Sequence, residues 1–185
     1  MSVGLHITYE DYLHMIEAGA FDTMREKRIE LIHGELREMA PPGPSHSELV
    51  SRLTHWSVLK PPPDRVKVRI QDPIGIPELD SGPQPDIVWA QPKSYDDHHP
   101  LPDEVLLVIE VADSSLAFDC GAKANLYAAG GIADYWVVDV QQRTVHLFRQ
   151  PGKRGYGQRL TYKEGQQLSP LAFPQVAIDL SELFR

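Results

Sequence analysis

The sequence predicts a mixed α/β fold, one sheet flanked by helices, and three observations carry that expectation. The run Val105–Ala112 is apolar at every position but one and rich in Val, as expected of a strand covered on both faces. Residues 45–56 and 119–129 space their apolar side chains as helices do. Placed among shorter strand-like runs, these give the order helix, three strands, helix, strand, which calls for a mixed sheet with helices packed against it.

Taken in order, Thr8 is the expected N-cap of a short peripheral helix that runs to about residue 18 and stops at Gly19. Residues 28–39 read as two short strands joined at His33-Gly34, a turn that supplies positive φ. Pro41, Pro42 and Pro44 break the pattern. Ser45-His46-Ser47-Glu48 has the spacing of a capping box, and Leu49, Val50, Leu53 and Trp56 give the following helix an apolar face until Pro61-Pro62-Pro63 ends it. Strands are expected near 66–70, 87–90 and 105–112, separated by loops rich in Pro, Asp and Gly. Helix 119–129 includes Ala122, Leu126 and Ala129 among its small or apolar positions and meets its stop at Gly130-Gly131. Residues 135–138 read as another buried strand. Residues 144–148 and 158–162 read as an antiparallel hairpin joined across Gly152, Gly155 and Gly157, and 181–184 as a final helical turn.

Composition narrows the functional classes. The 185 residues suit one domain over 1–185, with 42% hydrophobic and 24% charged residues near the globular average. No apolar stretch reaches the length of a membrane span and no signal peptide opens the chain, so a cytoplasmic protein without a membrane partner is expected. The single cysteine, Cys120, excludes an internal disulfide and the Cys/His spacing of structural zinc. A net charge of −8 argues against a protein that coats nucleic acid, so any DNA contact must be local. One local candidate is Arg65, Lys67 and Arg69, which alternate with aliphatic residues and would share one strand face; a solvated sheet edge is the alternative. Arg149, Lys153, Arg154 and Arg159 form a second. Gly152–Gly157 lacks the spacing of a phosphate-binding loop, so no nucleotide cofactor is expected.

The chemistry centres on Glu110, the lone charge inside the strand 105–112. A carboxylate buried there is costly unless a cation, metal or hydrogen-bond donor meets it. Asp86 precedes a second apolar run, and Lys123 follows Asp119 one helical turn later, so acids and a lysine converge where strand ends meet a helix. Side chains two apart share a strand face, yet the position beside Glu110 is Ala112, which leaves Lys123 as the displaced lysine. Asp86, Glu110 and the backbone carbonyl of Val111 would then hold Mg²⁺ or Mn²⁺, with Lys123 orienting or helping to deprotonate the attacking water. His46 and Glu48 open the first core helix and are candidate accessory residues, although capping accounts for Glu48. Glu30, between Ile29 and Leu31, is a third accessory candidate of undecided orientation.

Gln84-Pro85-Asp86-Ile87, the segment from Leu107 through Glu110 to Leu116, Asp119, Lys123, Leu126-Tyr127-Ala128, Gly131-Ile132 and Asp134 to Asp139 resemble the Uma-type restriction endonuclease family, a branch of the PD-(D/E)XK nuclease superfamily. The resemblance extends upstream through residues 28–36, Pro41-Pro42 and His46, and covers about 8–185. It implies a restriction-endonuclease-like αβββαβ core with a peripheral N-terminal helix and hairpin and a C-terminal antiparallel hairpin. It also implies metal-ligand roles for Asp86 and Glu110 and a catalytic role for Lys123. His33 and Asp134 depart from that family's common Asp and Glu, both outside the metal and lysine set.

The expected function is a Mg²⁺-dependent DNA endonuclease. Cutting both strands would call for two sites, which makes a homodimer the expected assembly. Two rival readings are a noncatalytic nucleic-acid- or protein-binding module that keeps the nuclease fold, and a metal-dependent phosphoesterase acting on nucleotides or RNA.

Overall fold

The computed structural model describes residues 5–22 and 27–185. Helix α1 (Tyr9–Glu17) starts at Thr8, which exchanges capping bonds with Asp11. The hairpin β1 (Ile29–Ile32) and β2 (Glu35–Glu38) turns at His33 and Gly34, both at positive φ, +50° and +78°. A long helix, α2 (Pro44–Leu59), follows. The strands β3 (Lys67–Ile70), β4 (Ile87–Ala90) and β5 (Val105–Ala112) come next. The chain then makes α3 (Leu116–Phe118), a π-helical turn (Asp119–Lys123) and α4 (Ala124–Gly130). It continues through β6 (Asp134–Asp139), β7 (Thr144–Arg149), β8 (Gln158–Lys163), β9 (Gln167–Leu168), β10 (Ile178–Asp179) and α5 (Leu180–Leu183).

Six strands form one mixed sheet in the order β3-β4-β5-β6-β7-β8. Only β5 and β6 run parallel, joined by the helical segment between them; every other neighbour pair is antiparallel. Alternation along the central strands feeds two cores. Ile87, Trp89, Leu107, Ile109, Trp136 and Val138 meet Leu53 and Trp56 of α2, whereas Val88, Val108, Ala112, Tyr135 and Val137 meet Leu126 and Tyr127 of α4. This is the mixed α/β class and element order that the sequence predicts. The β1–β2 hairpin lies outside the sheet and docks through Leu31 and Gly82, which exchange backbone hydrogen bonds. Only glycine fits at residue 82: a Cβ there would stand 2.9 Å from the Tyr12 ring.

Three local expectations need correction. Ser45 does not cap α2; the cap lies two residues earlier, at Gly43, with Pro44 first in the helix, where its fixed φ and missing N–H cost nothing. Glu48 consequently makes no capping bond and pairs instead with Arg52 at 2.8 Å. The helix expected from Asp119 begins at Leu116 and contains the π turn, in which the Ala124 amide reaches the Asp119 carbonyl five residues back. The β9–β10 pair was not expected, because two-residue strands carry no readable period.

Trp56 ties α2 to the sheet. Its ring stacks on Trp89 at 5.0 Å and on Trp136 at 6.0 Å, and its indole N–H donates to the Ala177 carbonyl. Trp56→Ala should therefore destabilise the protein by about 3–5 kcal/mol, read as a lower urea midpoint, with Trp56→Phe losing less.

Candidate functional site

At the end of β5 the two faces of the sheet stop being equivalent. Glu110 lies on the α4 face, between Val108 and Ala112, and its side chain is buried. Its Oε1 accepts hydrogen bonds from Lys123 Nζ and from the Tyr127 hydroxyl, both at 2.9 Å. The lysine reaches back from the π turn as expected and also meets Glu30 Oε2 at 3.0 Å. Lys123 is thus clamped between a strand carboxylate and a hairpin carboxylate. The other oxygen-rich corner belongs to Asp86, at the start of β4. Its Oδ2 accepts the Val111 amide at 2.9 Å and lies 3.1 Å from His46 Nε2, while Oδ1 accepts from Gln71 at 3.3 Å and lies 3.7 Å from Arg28. Asp119 completes a group of four buried acids, with the Ser115 hydroxyl donating to it.

Environment separates these acids. Burial pushes Glu110 up, the Lys123 ammonium pulls it down, Asp119, Asp86 and Glu30 push it up again, and the carboxyl settles at about 8. Asp119 is raised as well, by burial against the pull of Lys123 and Ser115. Asp86 goes the other way: burial raises it, but His46, the Val111 amide and Gln71 more than offset that and hold it below the usual carboxylate range. Burial alone would discharge Lys123, yet Glu110, Glu30 and Asp119 raise its pKa and keep it an ammonium.

These groups line a cleft of about 290 Å³ walled by the hairpin, the segment before α2 and the β5–α3 turn. The lining includes Asp86, Glu110, Val111, Lys123, Glu30 and His46, so the structure brings the expected core set and two of the three accessory residues together. Glu48 does not join them; it lies on another side of α2, beside Arg52 and Phe184. The expected cationic strand face does not form either. Lys67 and Arg69 lie over the Tyr95 ring, whereas Arg65 stacks on Phe173 of the opposite core, and none of the three lines the cleft. In the second basic region Arg149 is structural, paired twice with buried Asp134. Arg28, Gln71, Asp119 and Tyr127 were not proposed as site residues. Tyr127 had a signal, since it follows Lys123 by one helical turn; Arg28 and Gln71 reach the site only through tertiary packing.

The donor set suits a hard cation. Among the described residues no three His, Cys, Asp or Glu side chains converge into a ready-made cage. Mg²⁺, however, is commonly held by one or two carboxylates with water or substrate oxygens filling the remainder. Glu110 Oε2 accepts no hydrogen bond among the described residues. The N–H and C=O of a strand residue leave on the same edge, so the Val111 carbonyl is directed to the side where its amide meets Asp86. The raised Glu110 and Asp119 mark a place where burial disfavours the carboxylate form, a cost that a cation would relieve.

A family model described as "Uma2: Putative restriction endonuclease" matches residues 9–181. No curated protein matches the chain. Among solved structures, that of a putative nuclease belonging to DUF820 from Anabaena variabilis superposes with a TM-score of 0.74 and 17% identity, covering 96% of this chain and 97% of that one. At that identity the likeness bears on the fold.

Two measurements follow from the ion cluster. Lys123→Met should cost about 3–5 kcal/mol in a denaturant titration, because it leaves Glu110 and Glu30 buried without their cation. Glu110 has a folded-state pKa of about 8, above its ordinary 4.5, so its contribution to stability is complete below pH 4.5 and is lost as pH rises through about 8. In metal-free protein, Glu110→Gln, which keeps the shape without titrating, should flatten the fall in stability across that window.

Proposed function

The chain belongs to the Uma2 family, and from that premise we propose that it is a metal-dependent endonuclease that hydrolyses phosphodiester bonds of DNA at the Asp86–Glu110–Lys123 cleft. The observation that carries the reading is the buried Lys123 ammonium held 2.9 Å from Glu110 at the floor of a cleft that also contains Asp86. A purely structural role is a poor account of so many acids in one place, since a packed apolar cluster of similar volume is commonly at least as stable as a buried ion group.

Asp86, Glu110 and the Val111 carbonyl are the groups that would hold Mg²⁺ or Mn²⁺. When bound, such an ion activates water and neutralises charge gathering on the phosphate. The protein residues divide the remaining work. Lys123, kept protonated by its two carboxylates, donates hydrogen bonds and positive charge to the attacking water or to a phosphate oxygen. The raised pKa makes it a poor proton acceptor, so its part is orientation and charge stabilisation rather than base catalysis. Glu30 and Tyr127 fix the lysine and Glu110 in register, and His46 with Gln71 does the same for Asp86. Such rigid support matters because small displacements of a catalytic group are costly in rate.

Supercoiled plasmid incubated with Mg²⁺ or Mn²⁺ tests the reading. Wild type should nick it, and Glu110→Gln and Lys123→Met should each lower the rate by about a hundredfold or more while retaining the wild-type circular dichroism spectrum. Absence of cleavage with either metal, together with plasmid binding unchanged by both substitutions, would turn the assignment to a noncatalytic DNA-binding module.

A further inference from the structure

We infer that the cleft takes a single strand of DNA, one nucleotide at a time, and that Arg37 and Phe118 form the platform on which its base stacks. The inference rests on the nuclease reading above and adds to it the form of the substrate.

Access is the first argument. The reacting groups lie at a nearly sealed floor, with Glu30, Asp86, Glu110 and Asp119 each 3% exposed and Lys123 2% exposed. The space above them, about 290 Å³, is at the lower end of small-ligand pockets. Pairs of its lining residues also approach one another. The Arg37 guanidinium of β2 lies 5.1 Å from the centre of the Phe118 ring at the end of α3. On another side, Gly43 approaches Asp113 so closely that a Cβ would stand 3.3 Å from Oδ2. Double-stranded DNA resists sharp local bending, so bringing a duplex phosphate down to that floor carries a deformation cost that a single strand does not. A single strand, or a nucleotide turned out of the stack, can enter; extrusion from a duplex costs a few kcal/mol.

The rim supplies the chemistry that a single strand requires. Arg37 lies over Phe118 and pairs through one terminal nitrogen with exposed Glu35 at 3.3 Å, and with its side chain 45% exposed the outer side of the guanidinium is open for a base to cover. Phe118 is itself only partly buried and lines the cleft. Arg28, deeper in the wall, donates to the Gln84 carbonyl through one terminal nitrogen and keeps the other 3.7 Å from Asp86, a position from which a guanidinium can meet an entering phosphate. Elsewhere the arginines are largely committed: Arg65 to Phe173, Arg69 to Asp72, Arg143 to Glu164 and Arg149 to Asp134. With a net charge of −8, the protein gains little from long-range attraction to a duplex, so contact must be local.

The test compares an end-labelled oligodeoxynucleotide without self-complementarity, single-stranded and annealed to its complement, with Mg²⁺ or Mn²⁺. The single strand should be cut at least about tenfold faster than the duplex, the ratio expected when extrusion costs more than 1.4 kcal/mol. Arg37→Ala and Phe118→Leu, the latter keeping apolar bulk without a ring, should each raise the single-strand concentration for half-maximal cleavage by roughly tenfold. Duplex cleaved as fast or faster overturns the inference and leaves the nuclease reading standing, and cleavage of neither form removes both. Unchanged half-maximal concentrations in both variants would overturn the stacking platform.

Discussion

The Lys123 ammonium, buried between Glu110 and Glu30, is the constraint on which the local architecture depends. An unpaired charge at that depth is costly, so the three groups support one another's burial. Glu110 comes from the central strand, Lys123 from the π turn, and Glu30 from a hairpin that shares no ladder with the main sheet. The ion cluster is therefore a tertiary clamp as well as a chemical site. Gln84 extends the clamp, donating its amide to Glu30 and its side chain to the Ile29 carbonyl just before Asp86 enters β4. Moving the hairpin would disturb the lysine and the approach to Asp86 at once.

The π turn solves a related problem. Its wider hydrogen bonding accompanies the placement of both Asp119 and Lys123 on the buried side. Tyr135 donates its hydroxyl to the Asp119 carbonyl at 3.0 Å, giving that irregular backbone a partner from β6. Tyr135 in turn stacks on Phe148 and Tyr156 and meets Tyr127 edge-on. The aromatic layer under α4 thus supports the turn that delivers the lysine, which connects core packing directly to the site.

Much of this was legible in the sequence because burial and charge conflict there. Glu110 stands out in an apolar strand, and the solvation cost of a carboxylate is a general rule that needs no coordinates. Lys123 was readable as its partner because it lies on the next helical pattern. Glu30 was ambiguous, since four-residue strands fix neither register nor the face that is covered. Glu48 departs from expectation for a reason equally physical: the capping-box spacing is present, but the cap falls two residues earlier, at Gly43 before Pro44, and leaves the motif without its geometry. The alternation of Arg65, Lys67 and Arg69 was real along the chain, yet aromatic rings from opposite faces drew Arg65 away from the other two. Arg37 on Phe118 carried no sequence signal, because that contact exists only once the hairpin folds over the β5–α3 turn.

The distribution of charge gives the fold a division of labour. Acids concentrate around buried Lys123, while many arginines join elements: Arg149 pins Asp134, and Arg52 reaches the carbonyls of Leu183 and Arg185 from α2. An acidic protein arranged this way gains little from long-range attraction to a polyanion. On the proposed reading, recognition would come from short-range contact within the cleft, where a guanidinium, an aromatic ring and a sealed carboxylate floor lie close together. The same enclosure that raises Glu110, and that Lys123 withstands only through its carboxylate partners, also leaves these groups almost without contact with solvent, so the electrostatics and the accessibility of the site have one structural cause.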